Sequence, residues 1–155
     1  MRISIIVPCY NEQAVLKLFY VEIVKVLEKI TNNYELLFVD DGSQDSTLSI
    51  IKTLCINNSH IKYIAFSRNF GKEAAMYAGF CNVDADYVAV MDADMQDPPS
   101  LLPEMIQILE SGKYDSVATR RKNREGEPPI RSWCDRKFYQ LINKISDADI
   151  VDGAR

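Results

Sequence analysis

Apolar residues follow two patterns along this chain, and each pattern predicts a kind of element. Short continuous apolar runs, typical of buried strands, predict five strands at residues 3–7, 36–39, 61–66, 87–91 and 114–119. Stretches in which apolar residues recur every three or four positions predict helices at residues 15–30, 72–81, 100–111 and 132–145, with another that begins near residue 46. Asn11 is the expected cap of the first helix.

Strands and helices alternate throughout, which favours right-handed crossovers and a mostly parallel sheet with helices on both faces. The sequence therefore predicts an α/β fold in three layers, α/β/α, within one domain that spans residues 1–155. Residues 151–155 contain no terminating element, so we expect the chain to be truncated at its C-terminus.

Composition narrows the class of protein. The chain has 155 residues, of which 47% are hydrophobic and 26% charged, as in an ordinary soluble domain. A net charge of −4 argues against a nucleic-acid partner. No apolar run approaches the ~20 residues that span a bilayer. The four cysteines are widely spaced, which favours reduced thiols in a cytoplasmic protein over a zinc site or a disulfide framework, and the single histidine argues against a His-based triad.

Polar and charged residues gather directly after each predicted strand. In open α/β sheets this carboxyl edge is where ligands bind. The five groups lie at residues 8–12, 40–45, 67–72, 92–99 and 120–121. Together they predict one crevice with acidic, aromatic and basic parts, as a nucleotide with a metal-bound diphosphate would need.

Asp92, Asp94 and Gln96 form the most acidic of these groups. Their side chains offer only oxygen ligands to a cation, which suits Mg²⁺ or Mn²⁺, and Mg²⁺ takes its remaining ligands from substrate phosphates and water. The alternative is a turn in which the aspartates only cap the next helix.

Four of these segments resemble a known family. They are Val7-Pro8-Cys9-Tyr10-Asn11-Glu12, Asp40-Asp41-Gly42-Ser43-Gln44-Asp45-Ser46-Thr47, Arg68-Asn69-Phe70-Gly71-Lys72 and Asp92-Ala93-Asp94-Met95-Gln96-Asp97-Pro98-Pro99. In order and spacing they resemble family-2 glycosyltransferases with the GT-A fold. The nearest likeness is to the polyprenyl-phosphate branch, the dolichyl-phosphate mannose synthases and bactoprenol glucosyltransferases, and it covers nearly the whole chain.

The resemblance implies roles for individual residues. The implied nucleotide-binding residues are Pro8, Tyr10, Glu12, Val39, Asp41, Lys72, Asp92 and Ala93. The implied metal ligands are Asp92, Asp94 and Gln96, and the implied catalytic residues are Asp94, Arg120 and Asp152. In this scheme Tyr10 packs against the base or ribose and Asp41 accepts a base N–H. Structural alternatives remain: a half-buried core aromatic for Tyr10, an Asx turn before Gly42 for Asp41, and a solvated charge for Lys72.

The resemblance further implies an inverting transfer of a hexose from a UDP- or GDP-hexose to a polyprenyl phosphate such as undecaprenyl or dolichyl phosphate. A phosphate oxygen is already anionic, so this acceptor needs no general base. Two alternatives stay open: transfer to a sugar hydroxyl in cell-wall or surface polysaccharide synthesis, and a non-catalytic nucleotide-sugar-binding domain. A nucleotidyltransferase is disfavoured because the chain has no glycine-rich phosphate loop.

Basic residues are concentrated late in the chain. Residues 113–144 contain nine Lys or Arg against four Asp or Glu. One interpretation of residues 120–137 is a solvated loop and helix. The other is a surface that faces an anionic membrane, which would place the full-length protein at the cytoplasmic face of that membrane. The sequence leaves the oligomeric state open, a homo-oligomer included.

Overall fold

A computed structural model of the chain describes residues 1–119. Four strands form one sheet: β1 (Ile3–Cys9), β2 (Tyr34–Asp40), β3 (Ile61–Ala65) and β4 (Tyr87–Val90). Four α-helices connect or follow them: α1 (Leu16–Ile30), α2 (Thr47–Asn57), α3 (Lys72–Cys81) and α4 (Leu102–Glu110), the last preceded by a 3₁₀ turn at Pro99–Leu101. The strands pair in parallel in the order β3-β2-β1-β4, so β1 and β2 are central.

The central strands are apolar because helices cover both of their faces. All seven residues of β2 are buried. On one face, α1 presents Leu16, Phe19, Ile23 and Leu27, whose spacing of three and four residues forms a single apolar stripe. Each such side chain contributes about 1.5–3 kcal/mol when fully buried. These side chains join Ile51 of α2 in one core cluster.

The opposite face of the sheet packs against α3. Ala75 of α3 joins Ile6, Leu37 and Val39 in a second core cluster. A Cβ added at Gly79 would lie 2.4 Å from Cγ2 of Ile6, so the helix approaches the strand closely. The predicted α/β/α layering is therefore confirmed for residues 1–107, the first of two compact units in the chain.

Residues 108–119 are the described part of the second unit, residues 108–155. They contain the end of α4 and a turn at Gly112, whose φ is +68°, as expected of a helix stop. The fifth strand predicted at residues 114–119 is wrong, because these residues form neither strand nor helix. The run has only three apolar side chains and its Tyr114 is exposed, so it lacks the burial that stabilises a short strand.

Two other local expectations are corrected. The first helix begins at Leu16, so Asn11 does not cap it; Asn11 instead takes a left-handed backbone conformation with φ of 58°. Strand β1 extends through Pro8 to Cys9, two residues past its predicted end. The helix predicted at residues 132–145 lies outside the described residues. Within residues 1–119, no helix is both long and apolar enough to cross a bilayer.

Candidate functional site

A cleft of about 400 Å³ opens at the carboxyl edge of the sheet. All four loops that follow the strands contribute to it, as expected for a parallel α/β sheet. Its lining residues are Pro8, Cys9, Tyr10, Glu12, Asp41, Asn69, Gly71, Lys72, Ala75, Asp92, Ala93 and Asp94. The volume lies within the range of small-molecule sites, about 300–1,000 Å³.

The loops after β1 and β2 are joined by hydrogen bonds. The backbone N–H of Asn11 donates to Oγ of Ser43 at 2.9 Å, and Oδ1 of Asn11 accepts the N–H of Gln44 at 2.8 Å. The N–H of Glu12 donates to Oγ1 of Thr47 at 2.8 Å. These contacts hold the segment that carries Tyr10 and Glu12 against the next loop, so that wall of the cleft is fixed before any ligand binds.

Asp41 holds the loop after β3. Its side chain is only 3% exposed, and its two oxygens accept the backbone N–H groups of Phe70 at 2.7 Å and Gly71 at 2.9 Å. Hydrogen bonds to a carboxylate are the stronger kind in proteins. Gly42 makes the close approach possible, because a Cβ there would lie 2.3 Å from the carbonyl carbon of Arg68. Asp41 therefore positions residues 67–71. The neighbouring Asp40 accepts the N–H of Ser43, three residues further on, through its Oδ2 at 3.3 Å.

The N-terminus of α3 faces the cleft and carries its basic group. Gly71, Lys72 and Ala75 all line the cleft. Among the described residues, no side chain caps this helix end, and free N–H groups at a helix N-terminus suit an anion. Nζ of Lys72 donates to Oδ2 of Asp92 at 2.7 Å, in a pair whose side chains are 53% and 37% exposed.

Carboxylates dominate the charge of the cleft. Desolvation raises the pKa of Glu12, and the nearby carboxylates of Asp94 and then Asp92 raise it further. Asp94 sits in a tight turn, since its Oδ1 accepts the N–H of Gln96 at 2.9 Å and Met95 has a φ of 60°. The arrangement concentrates negative charge where a cation is expected.

The acidic loop fits a metal that takes few ligands from the protein. Asp92 and Asp94 both line the cleft. Within residues 1–119, no three or more His, Cys, Asp or Glu side chains cluster closely enough to form a metal cage. Mg²⁺ accepts such a site, since it is usually held by one or two carboxylates together with substrate phosphates and water. The donor set is therefore compatible with a divalent ion that arrives with a diphosphate.

Most of the site residues predicted within residues 1–119 come together. The cleft contains Pro8, Tyr10, Glu12, Asp41, Lys72, Asp92, Ala93 and Asp94. Val39 does not line it, because its side chain is fully buried in the core cluster under α3. Gln96 does not line it either. Arg120, Asp152 and the basic segment 120–137 lie outside the described residues, so their roles stay predictions.

Four cleft residues were given no individual role by the sequence: Cys9, Asn69, Gly71 and Ala75. Cys9, Asn69 and Gly71 belong to segments that the sequence did assign to the crevice. Only Ala75 lies outside those segments. Burial raises the pKa of the Cys9 thiol, with smaller contributions from the carboxylates of Glu12, Asp40 and Asp92, which disfavours the thiolate that a nucleophile needs.

Comparisons with known proteins place the chain in a family. The model of the family described as "Glycosyl transferase family 2" matches residues 4–153. The protein named "Putative glycosyltransferase CsbB" of Bacillus subtilis (strain 168) is 48% identical over 151 residues, which cover 97% of this chain and 45% of that protein. The bactoprenol glucosyl transferase of Shigella phage SfV is 35% identical over 152 residues, covering 98% of this chain and 49% of that protein. The chain thus spans about half the length of these relatives.

Solved structures share the fold. S. aureus TarS 1-349 in complex with UDP-GlcNAc is 22% identical with a TM-score of 0.59, and the match covers 83% of this chain and 36% of that one. The mannosyltransferase PcManGT from Pyrobaculum calidifontis, in complex with GDP-Man and Mn²⁺, is 19% identical with a TM-score of 0.64, covering 91% of this chain and 38% of that one. At these identities the likeness shows the GT-A fold.

Proposed function

The chain belongs to glycosyl transferase family 2, and from that premise we propose that it forms the nucleotide-sugar half of an enzyme that moves a hexose to a polyprenyl phosphate. The donor is a UDP- or GDP-hexose, and the transfer inverts the anomeric centre. One observation carries the proposal: an aromatic ring, a lysine at a helix N-terminus and two carboxylates meet in one cleft.

The cleft offers a partner for each part of a nucleoside diphosphate. Tyr10 is 42% exposed and presents its ring to a base or ribose. Lys72 and the first N–H groups of α3 suit the diphosphate, because both an ammonium and a helix N-terminus attract phosphate oxygens. Asp41 supports the diphosphate region indirectly, because it holds the N–H groups of Phe70 and Gly71. Its remaining lone pairs are proposed to accept an N–H of the base.

Asp92 and Asp94 would hold a divalent ion, Mg²⁺ or Mn²⁺. When bound, such an ion neutralises the charge that develops on the departing diphosphate. The cleft also contains the carboxylate of Glu12, and this concentration of acidic side chains supports the assignment. The Mn²⁺ named with the GDP-Man complex of PcManGT agrees with a divalent ion.

The acceptor is proposed to be a lipid phosphate. Two relatives that are 35% identical to this chain over 152 residues are named as a bactoprenol glucosyl transferase and a prophage homolog of one. A phosphate oxygen attacks as an anion and needs no base. The one histidine, His60, does not line the cleft: its ring stacks on Tyr34, and its Nδ1 lies 2.9 Å from the carbonyl oxygen of Tyr34. Arg120 and Asp152, proposed for the reacting phosphates and the acceptor side, lie outside the described residues.

A membrane surface is the proposed partner of the full-length protein, through the basic segment 120–137 at the cytoplasmic face. Basic residues near an anionic membrane contribute about 1 kcal/mol each. Neutralising Lys122 and Arg124 should weaken binding to anionic vesicles at low salt and spare turnover of a short-chain acceptor. Arg120→Ala should lower turnover with the full-length lipid acceptor and with the short-chain acceptor. Equal vesicle binding by parent and variant would remove the membrane role.

The test is a transfer assay on the full-length protein. UDP-glucose, UDP-GlcNAc, UDP-galactose and GDP-mannose are each incubated with undecaprenyl phosphate and Mn²⁺, and the lipid product is identified by mass spectrometry. Transfer of one hexose to the lipid is expected. Transfer only to soluble sugar hydroxyls, or nucleotide-sugar binding with no transfer to any acceptor, would reject the lipid-phosphate assignment.

A variant pair tests the metal loop. Asp94→Ala should abolish metal-dependent binding of the nucleotide in calorimetry while circular dichroism stays unchanged. Asp97→Ala is the matched control, because Asp97 lies on the same loop and does not line the cleft. Nucleotide binding of equal affinity with and without Mn²⁺ would contradict a metal site at Asp92 and Asp94.

A further inference from the structure

We propose that Lys72 is a specificity-determining residue, which makes the cleft select a metal–nucleoside diphosphate complex over the free metal ion. The inference rests on the proposed function and adds a property to the same site. It starts from the contact between Nζ of Lys72 and Oδ2 of Asp92, two atoms 2.7 Å apart.

The ammonium of Lys72 occupies an oxygen that a metal ion would use. Both side chains line the cleft together with Asp94, the second carboxylate of the acidic loop. A lone pair that accepts an N–H bond cannot coordinate a cation at the same time. The positive charge of the lysine also repels a divalent ion at close range. A free ion that binds Oδ2 of Asp92 therefore competes with the lysine side chain for that oxygen.

The backbone under Lys72 is held in place. The two residues before it, Phe70 and Gly71, donate their N–H groups to the buried carboxylate of Asp41 at 2.7 and 2.9 Å. Lys72 itself begins α3. Only the half-exposed side chain is left to rearrange, so the ammonium can leave Asp92 and still remain within the cleft.

A metal–diphosphate complex compensates this movement and a bare ion does not. The diphosphate brings oxygens that accept the displaced ammonium, in charge-assisted hydrogen bonds. A ligand shifts an equilibrium only by its difference in affinity for the two states. The complex favours the state in which Lys72 points at phosphate. When a free ion binds, the protein loses the contact between Lys72 and Asp92 and gains no phosphate contact in return.

A purely structural ion pair makes a different prediction. An exposed pair contributes little to stability, and its removal would leave the affinity for metal unchanged. The two interpretations therefore diverge in a measurement of metal binding to the nucleotide-free chain.

The experiment is a Mn²⁺ titration followed by electron paramagnetic resonance, without nucleotide, on the parent, Lys72→Met and Lys72→Gln. Loss of the competing ammonium should tighten Mn²⁺ binding about two- to fivefold, the range expected for a half-exposed pair. Lys25→Met is the control, because Lys25 makes a comparable exposed pair with Glu22 at 2.8 Å on α1 and does not line the cleft. It removes the same charge and should leave Mn²⁺ affinity unchanged.

The titration is repeated with UDP or GDP present. Here the order of affinities should reverse. Lys72→Met and Lys72→Gln should bind the Mn²⁺–nucleotide complex about tenfold more weakly than the parent, because the phosphate loses a charged donor. Lys72→Arg keeps the charge and should stay close to the parent in the metal-only titration. Unchanged or weaker binding of Mn²⁺ alone by both neutral variants would overturn the proposal.

This outcome is separable from that of the transfer assay. The metal-only titration needs neither sugar nor acceptor. Absence of glycosyl transfer would therefore reject the proposed function and leave the role of Lys72 to be decided by Mn²⁺ binding. Active enzyme with unchanged Mn²⁺ affinity in both neutral Lys72 variants would reject only the role of Lys72.

Discussion

Replacing Gly42 with alanine should disrupt the cleft by displacing the loop after β3. Gly42 lies two residues after the end of β2 and has a φ of +68°. A Cβ there would be 2.3 Å from the carbonyl carbon and 2.7 Å from the Cα of Arg68. Ordinary contacts begin near 3.4 Å, so the loop after β3 has to move by about an ångström. Both neighbouring atoms belong to the backbone, so no change of rotamer relieves the overlap.

The expected loss of stability has two parts. A left-handed conformation costs a residue with a Cβ about 1–2 kcal/mol. Forcing an extra carbon into a packed contact costs about 1–3 kcal/mol more. Gly42→Ala should therefore lower the free energy of unfolding by about 2–5 kcal/mol. It should also weaken nucleotide binding, because the displaced loop carries the N–H groups that Asp41 holds.

Gly112→Ala is a matched control for this prediction. Gly112 has the same φ of +68°, and an added Cβ there would meet no atom of residues 1–119 within 4 Å. Urea denaturation followed by circular dichroism should show that Gly112→Ala lowers the free energy of unfolding by about 1–2 kcal/mol, the cost of the left-handed conformation alone. Calorimetry should show unchanged nucleotide affinity. Equal losses of stability at the two positions, with the cleft intact in both variants, would refute the close packing inferred at Gly42.

Three further predictions follow from the contacts and pKa shifts. Asp41→Asn keeps one acceptor for two N–H groups, so urea denaturation should show a loss of about 1–3 kcal/mol; an unchanged midpoint would contradict its role in holding residues 67–71. Burial, Asp94 and Asp92 raise the pKa of Glu12, so the protonated carboxyl is favoured in the folded state. The resulting gain in folding stability is complete below the unfolded pKa of 4.5, and it is lost as pH rises through the folded pKa. Glu12→Gln should therefore raise the melting temperature at neutral pH and have little effect near pH 4, and an equal effect at both would argue against the shift. Maleimide should label exposed Cys81 in the native chain and reach buried Cys9, whose pKa is raised, only after denaturation, as followed by peptide mass spectrometry; equal labelling rates would contradict the burial of Cys9.

Sequence patterns predicted all four strands of the parallel sheet, because apolar runs and helical periodicity reflect burial directly. Helix α3 was predicted with the bounds observed, Lys72–Cys81. The same reasoning failed at residues 114–119, since composition does not reveal whether a strand finds a neighbour. It also failed at Asn11, whose side chain binds the N–H of Gln44, a residue 33 positions away, rather than the helix next to it.

The cleft was predictable where position along a strand determines the location of a residue. Tyr10, Asp41, Asp92 and Asp94 follow strand ends and meet at one edge. Val39 also lies near a strand end, but alternation turns its side chain toward α3 and into the core. The hydrogen bonds from Asp41 to residues 29 and 30 positions away could not be predicted, because nearly every residue has a backbone N–H group and the sequence does not show which of them Asp41 will contact.

The strand order β3-β2-β1-β4 has a consequence for the order of synthesis. As the chain leaves the ribosome, β1 can pair with β2 as soon as residue 40 is available, whereas its other edge stays open until Tyr87–Val90 arrive. An open strand edge attracts wrong partners, so this interval is when a nascent chain is most exposed to aggregation. Asp92 and Asp94 are translated directly after β4. Closure of the sheet and arrival of the acidic loop therefore almost coincide. If the chain binds a metal–nucleotide complex as proposed, binding would mark chains whose first strand is paired on both edges.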